Sequence, residues 1–261
     1  MDNTVQIIPF ARLALTFIPP FIVVGVLYLW SQGGRNSLYA IARMLVQLLL
    51  VGYFLAYIFE SKSVWVVLAV LAVMVSVSSW IALRTIKVHR RLLYAKALYS
   101  IVLGGGATLF LITQGVLDLH PWYQPNYFIP LAGMIFANAM NSVSLAADRL
   151  AAEIDRSGAY EQARNIAFRA SLIPITNSLF AVGLVSLPGM MTGQILSGVS
   201  PLIAARYQIM VMCMVFGAAG ISSACFLVMS KQIFVRACKG EKDRVNKEPE
   251  RLSGALVNNG S

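Results

Sequence analysis

The chain has 261 residues, 58% of them hydrophobic and 12% charged, with a formal net charge of +10 and a mean hydropathy of +0.71. A soluble domain of this length cannot hide so much apolar surface, so a soluble enzyme or binding module is excluded. The positive charge does not point to nucleic acid either, because its carriers are confined to short segments between apolar runs.

A helix needs about 20 apolar residues to cross a bilayer. In chain order the runs that meet this are 10–30, 38–59, 64–83, 97–117, 127–147, 172–196 and 205–229. They are continuous rather than alternating, which excludes a barrel and predicts an all-α, polytopic transmembrane bundle of about seven spans. The first run is too long, and too poor in early basic residues, for a cleaved signal segment; a bend is expected at Pro19-Pro20. Arg84, Lys87, Arg90, Arg91 and Lys96 fill one loop, Arg149, Arg156, Arg164 and Arg169 another, and seven further Lys and Arg lie beyond residue 230. The loops of opposite parity, 117–126 and 198–204, hold none. This alternation predicts an N-terminus outside, a cytosolic C-terminus and a multi-pass protein of the inner (plasma) membrane. Arg35 agrees with it and Lys62 is an exception.

Residues 1–238 read as a single transmembrane domain. Within it, 148–171 is an amphipathic cytosolic stretch with a turn at Ser157-Gly158. Residues 239–261 mix both charges with Asn, Gly and Pro and read as a disordered cytosolic tail, solvated or touching anionic lipid. Cys213, Cys225 and Cys238 form no disulfide framework.

No apolar run holds an interior Asp, Glu or His. Pumps and intramembrane enzymes keep such groups at depth to do their chemistry, so this chain reads as a path without its own motor. Gly104-Gly105-Gly106 lies within a span and lacks the Lys and Ser/Thr of a phosphate loop; together with Gly217-Ala-Ala-Gly220 it reads as a place of close helix approach or of local flexibility. Ser76, Ser78 and Ser79 have no base at depth. The chain is therefore not an enzyme, and no cofactor is expected.

Three constellations remain. Pro174 is expected to open the sixth span, and Pro188-Gly189 to break it, as a gate or as a packing kink. Asn138 and Asn141 share a helix face with Met134 one turn earlier and Asp148 at the cytosolic end. Asn177 and Gln47, the latter one turn from Arg43, add amides that either bond neighbouring helices or offer neutral oxygens to a passing cation or polar solute. Met134, Met140, Met190, Met191, Met210, Met212 and Met214 gather around the last three spans. They fill gaps or, at Met134, Met190 and Met191, touch a soft metal. His120 beside Asp118 is a further candidate at the outer loop.

The segment 182–194, VGLVSLPGMMTGQ, followed by Gly198, Pro201 and Tyr207-Gln208-Ile209, resembles the Fet-type permeases. These are membrane subunits of a bacterial ABC system assigned to iron export, similar to plant membrane proteins linked with aluminium tolerance. Arg43-x-x-x-Gln47 with Val51-Gly52-Tyr53, and the stretch 129–140, fit the same pattern in order. The resemblance implies a permease, homodimeric, worked by a separate cytosolic ABC-type ATPase. It also implies that a cytosolic helix docks on that ATPase, for which Glu153, Asp155, Arg156 and Gly158 are the matching positions. The expected function is export of iron or another transition metal. A permease for a sugar nucleotide or other organic solute, and a non-transporting scaffold, are the alternatives.

Overall fold

A computed structural model describes residues 8–30, 34–60, 63–86, 90–157 and 159–258; Lys62, Lys87 and Gly158 lie outside the described residues. All regular structure among them is helical. Helix α1 (Phe10–Leu15) stops and α2 (Ile18–Leu29) restarts just ahead of Pro19-Pro20, where the expected bend falls. The two prolines offer no N–H to the preceding turn and sit in the first turn of α2, the place where that loss is harmless. Helices α3 (Gly34–Glu60) and α4 (Val64–Ala82) follow. Next, α5 (Arg90–Ile101), a π-helical turn at Val102–Gly106, the short α6 (Ala107–Phe110) and a second π-helical turn at Leu111–Val116 make one continuous rod. Its last turn closes by a five-residue bond from the Leu117 N–H to the Ile112 carbonyl, 2.9 Å. Helix α7 (Pro125–Ser157) is the longest of the middle helices. Then come α8 (Tyr160–Ala181), α9 (Gly189–Leu196) and α10 (Pro201–Asn258).

Among the described residues six helical stretches are long and apolar enough to cross a membrane: Ala11–Leu29, Gly34–Phe59, Val64–Ala82, Arg90–Val116, Pro125–Ile154 and Pro201–Val235. The remaining expected run, 172–196, is not one helix. Its apolar share of α8, residues 172–181, is about 15 Å long at ~1.5 Å per residue, half of a ~30 Å hydrocarbon core. Pro174 does not open a helix, as expected from sequence, but sits inside α8. The hydrophilic residues from Tyr160 onward continue into the span without a stop, so the helix begins earlier than the apolar pattern indicates. The backbone of α10 runs as helix to Asn258, into the segment expected to be an unstructured tail. The side chains past Val235 are not among those described, so a boundary at 238/239 stays a proposal.

The core lies among α4, the α5–α6 rod, α7, α8 and α10, around fully buried Leu83, Leu93, Ile101, Ile135, Leu150 and Phe226. In lipid the hydrophobic effect does not pull helices together, so close packing must, and small side chains permit it. Ala132, Ala139, Ala163, Ala167, Ala218 and Ala219 are all 0% exposed. A Cβ on Gly104 would meet the Ser222 backbone nitrogen at 2.6 Å, and one on Gly105 the Phe136 ring at 3.0 Å. The glycine run is thus a contact between the rod and α10, as expected. Gly217 and Gly220 differ: nothing lies within 4 Å of a Cβ there, and close approach runs through the intervening Ala218 and Ala219. The α2–α3 pair stands apart, and none of the most apolar stretch of α3 is buried.

Candidate functional site

The α8–α9 break builds the site. At the end of α8 the Ala181 carbonyl accepts from the N–H groups of Leu184, Val185 and Ser186 at 3.3, 2.8 and 3.1 Å. This tight wrap needs a left-handed residue, and Gly183 supplies it at φ +85°. Pro188, extended at φ −62° and ψ 145°, then leads into α9, whose first residue is Gly189. After α9 a second left-handed glycine, Gly198 at φ +88°, reverses the chain into α10. The Val199 N–H closes that reversal onto the Gln194 carbonyl at 3.0 Å. Helix α9 therefore folds back along the first turns of α10.

The fold-back encloses a cavity of about 50 Å³ between α7, α9 and α10. The cavity is lined by Asn126, Tyr127, Pro130, Leu131 and Met134 of α7, Met190 of α9, Tyr207 and Met210 of α10, and Leu117 from the end of the rod. A space of this size takes a partly dehydrated ion with a water or two, a water needing roughly 10–15 Å³. Of the residues expected along a path, the cavity unites Met134 and Met190. Met191 is half-buried beside them in sequence, and Asn141, Asn177 and Gln47 are exposed and do not line it. Asn138 does not reach across to another helix: its Nδ2 donates to the Met134 carbonyl of its own helix at 2.8 Å.

Sequence reasoning missed Asn126, Tyr127 and Tyr207 as lining residues. It also passed over two amides with unpartnered oxygens: Gln194 on α9, and Gln208 on α10, which is 6% exposed. Helical spacing carried a signal for them, since Met190 and Gln194 are four apart and Tyr207 and Met210 three apart. What spacing does not reveal is that the α9–α10 reversal sets those faces against α7.

At the other end of the bundle, Glu153 is buried and accepts from Arg149 Nη2 at 2.9 Å. Arg156 and Glu161 are exposed; the side chain of Asp155, like Gly158, lies outside the described ones. Tyr160 starts α8 buried against α10, donating its hydroxyl to the Leu227 carbonyl, with Lys231 Nζ 5.7 Å from its ring centre. Burial pushes its phenol above the ordinary value, while a Ser230 hydrogen bond and the Arg164 charge pull the other way. Asp118 and His120 pair at 3.1 Å on the exposed loop between the rod and α7. Among the described residues no three His, Cys, Asp or Glu gather as a metal cluster.

The family described as uncharacterised protein family UPF0014 matches residues 10–159 and 154–234. A UPF0014 membrane protein of Synechocystis is 40% identical over 195 residues, covering 68% of this chain and 74% of that protein. The protein named probable iron export permease protein FetB, of Escherichia coli K12, is 34% identical over 215 residues, covering 76% and 81%. Protein ALUMINUM SENSITIVE 3 of Arabidopsis thaliana is 36% identical over 205 residues, covering 72% and 73%. No solved structure matches significantly.

Proposed function

The chain belongs to the UPF0014 family, and from that footing we propose that it is the permease subunit of an ABC-type exporter, moving iron or another transition metal out of the cytosol on energy from a separate ATPase. It is a multi-pass membrane protein. The observation that carries the reading is the make-up of its apolar runs, which contain only apolar and neutral polar residues apart from basic groups such as Arg43. A proton-driven cycle needs a titrating group at depth. Energy supplied by contact at the cytosolic face does not. The relative named as an iron export permease supports a metal as cargo.

In this reading the 148–171 stretch meets the ATPase through its exposed Arg156 and Glu161, while Glu153, turned inward onto Arg149, holds the α7 end in shape. The break around Pro188-Gly189 is the gate, because two short helices joined by a wrapped turn can change angle where a single rod cannot. ATP binding on the partner would favour one of the two arrangements, and the cargo the other. Two permease copies would act together.

The deciding experiment is affinity purification of the full chain from its native membrane. Stoichiometric recovery of an ATPase bearing a GxxxxGK[ST] motif is the expected result. Metal flux into vesicles holding the pure chain alone, without ATP, would overturn the reading. The exposed amides Asn141, Asn177 and Gln47 favour a second cargo, a hydroxylated organic solute such as a sugar nucleotide. Comparing cellular metal content with sugar-nucleotide export in cells lacking the protein separates the two.

A further inference from the structure

We propose that the cavity between α7, α9 and α10 binds a soft monovalent cation of the Cu⁺ or Ag⁺ kind through the thioethers of Met134, Met190 and Met210. This deepens the permease reading, and rests on it only for what the binding is used for. Methionine usually fills irregular gaps, its flexible chain closing the space around it. Here three of them, from three separate helices, line a space that stays open at about 50 Å³. Met190 also keeps 36% of its surface exposed, so the side chain stays reachable rather than packed into the core.

The donor set decides the class of ion. No residue with a carboxylate, imidazole or thiol lines the cavity; the lining is almost wholly apolar, and methionine is its metal-ligating residue type. The penalty for stripping water from an ion rises with the square of its charge, so a neutral cage suits a monovalent ion far better than a divalent one. Thioethers are soft ligands and favour Cu⁺ over the hard or borderline ions that want oxygen and nitrogen. The rings of Tyr127 and Tyr207 add faces on which a cation is stabilised. Met190 is the second residue of α9, directly after Pro188-Gly189. The three sulfurs therefore share the cavity only while α9 lies against α7 and α10, so the ion stabilises that position of the gate and is released when the helix swings.

The test uses the full chain in detergent, with Cys213, Cys225 and Cys238 replaced by Ser so that no thiol competes. Cu⁺ is titrated under anaerobic, reducing conditions against a chromophoric Cu⁺ chelator, in this parent and in Met134→Leu, Met190→Leu, Met210→Leu and the triple variant. Leucine keeps the volume and removes the sulfur, and gel-filtration profile and melting temperature confirm that each variant is folded. The expected result is one Cu⁺ per parent chain, a loss of about 10–100-fold in affinity for each single change, no measurable binding in the triple, and no displacement of Cu⁺ by equimolar Fe²⁺. Parent-like affinity in the triple variant, or displacement by Fe²⁺, overturns the proposal. Cu⁺ bound at these sulfurs in a chain that recovers no ATPase would leave the site standing and remove the permease reading. An ATPase-coupled exporter whose triple variant binds Cu⁺ and exports as the parent does would leave the reverse.

Discussion

Tyr160 opens α8, and its side chain ties that end of the helix to α10. The hydroxyl hydrogen bond to the Leu227 carbonyl is buried, so removing it forfeits one net hydrogen bond, roughly 1 kcal/mol, although that oxygen still accepts from the Ser230 hydroxyl. Tyr160→Phe should lower the melting temperature in detergent by a few degrees while leaving helix content unchanged by circular dichroism. The phenol adds a pH signature. Its folded value lies above the unfolded 10.0, so its contribution to stability is complete below about pH 10 and is lost as pH rises through the raised value. The stability difference between wild type and Tyr160→Phe should therefore be constant at neutral pH and shrink in alkali. A difference that does not change between pH 7 and 11 would remove this account of the side chain. At this scale the sequence carries a signal where the partner lies on the same helix: Arg149 stands four positions before Glu153, the spacing of a helical ion pair, yet Glu153 reads there as a candidate for docking the ATPase. Leu227, the partner of Tyr160, and Met190 and Met210, which share the cavity with Met134, lie on other helices, and no local spacing reports them.

Glycines separate the elements by what they touch. Gly104 stands where the π-helical turn meets α10, and a methyl group there would overlap the Ser222 backbone, which cannot move aside cheaply. Gly104→Ala should destabilise by about 1–3 kcal/mol, the range for overpacking a close contact. Gly217→Ala and Gly220→Ala meet open space, and in a helix interior they should be neutral or stabilise by up to about 1 kcal/mol. Thermal unfolding of the three variants in one detergent checks the contrast, and equal effects would refute the assignment of contacts. Both clusters read alike in sequence, as small residues in an apolar run. Which one faces a neighbour depends on helix rotation, which an almost uniformly apolar run does not encode. The α8–α9 break was more legible. Pro188-Gly189 is a visible stop, yet α8 already ends at Ala181, because Gly183 takes the left-handed conformation that wraps the chain over the last carbonyl. The proline marks where the next helix starts rather than where the previous one stops.

At the scale of the whole molecule, the direction of the helices fixes which ends share a side of the membrane. The cavity is lined by the first turns of both α7 and α10. Tyr160, just beyond the far end of α7, bonds Leu227, far along α10. These two helices therefore run in the same direction, and the chain between them has to return. Helix α8 begins at Tyr160 and α9 ends beside the start of α10, so together they cover that return, although α8 is too polar in its first half and α9 too short to span alone. The expectation is seven passages, six of them single helices, with the loop at His120 and the turn at Arg156 on opposite sides. Positive residues cluster on the Arg156 side, and by the positive-inside bias that side is expected to be the cytosolic one. Both positions are exposed, so cysteines placed there in a chain free of its native thiols are open to a reagent. His120→Cys should react with a membrane-impermeant maleimide in intact cells, or in spheroplasts if an outer membrane is present, and Arg156→Cys only after the membrane is opened. Labelling of both from one side would mean that α7, which separates the two positions, does not complete a crossing. The seven-passage count and the opposed ends it implies would then both fail, even with every helix boundary correct.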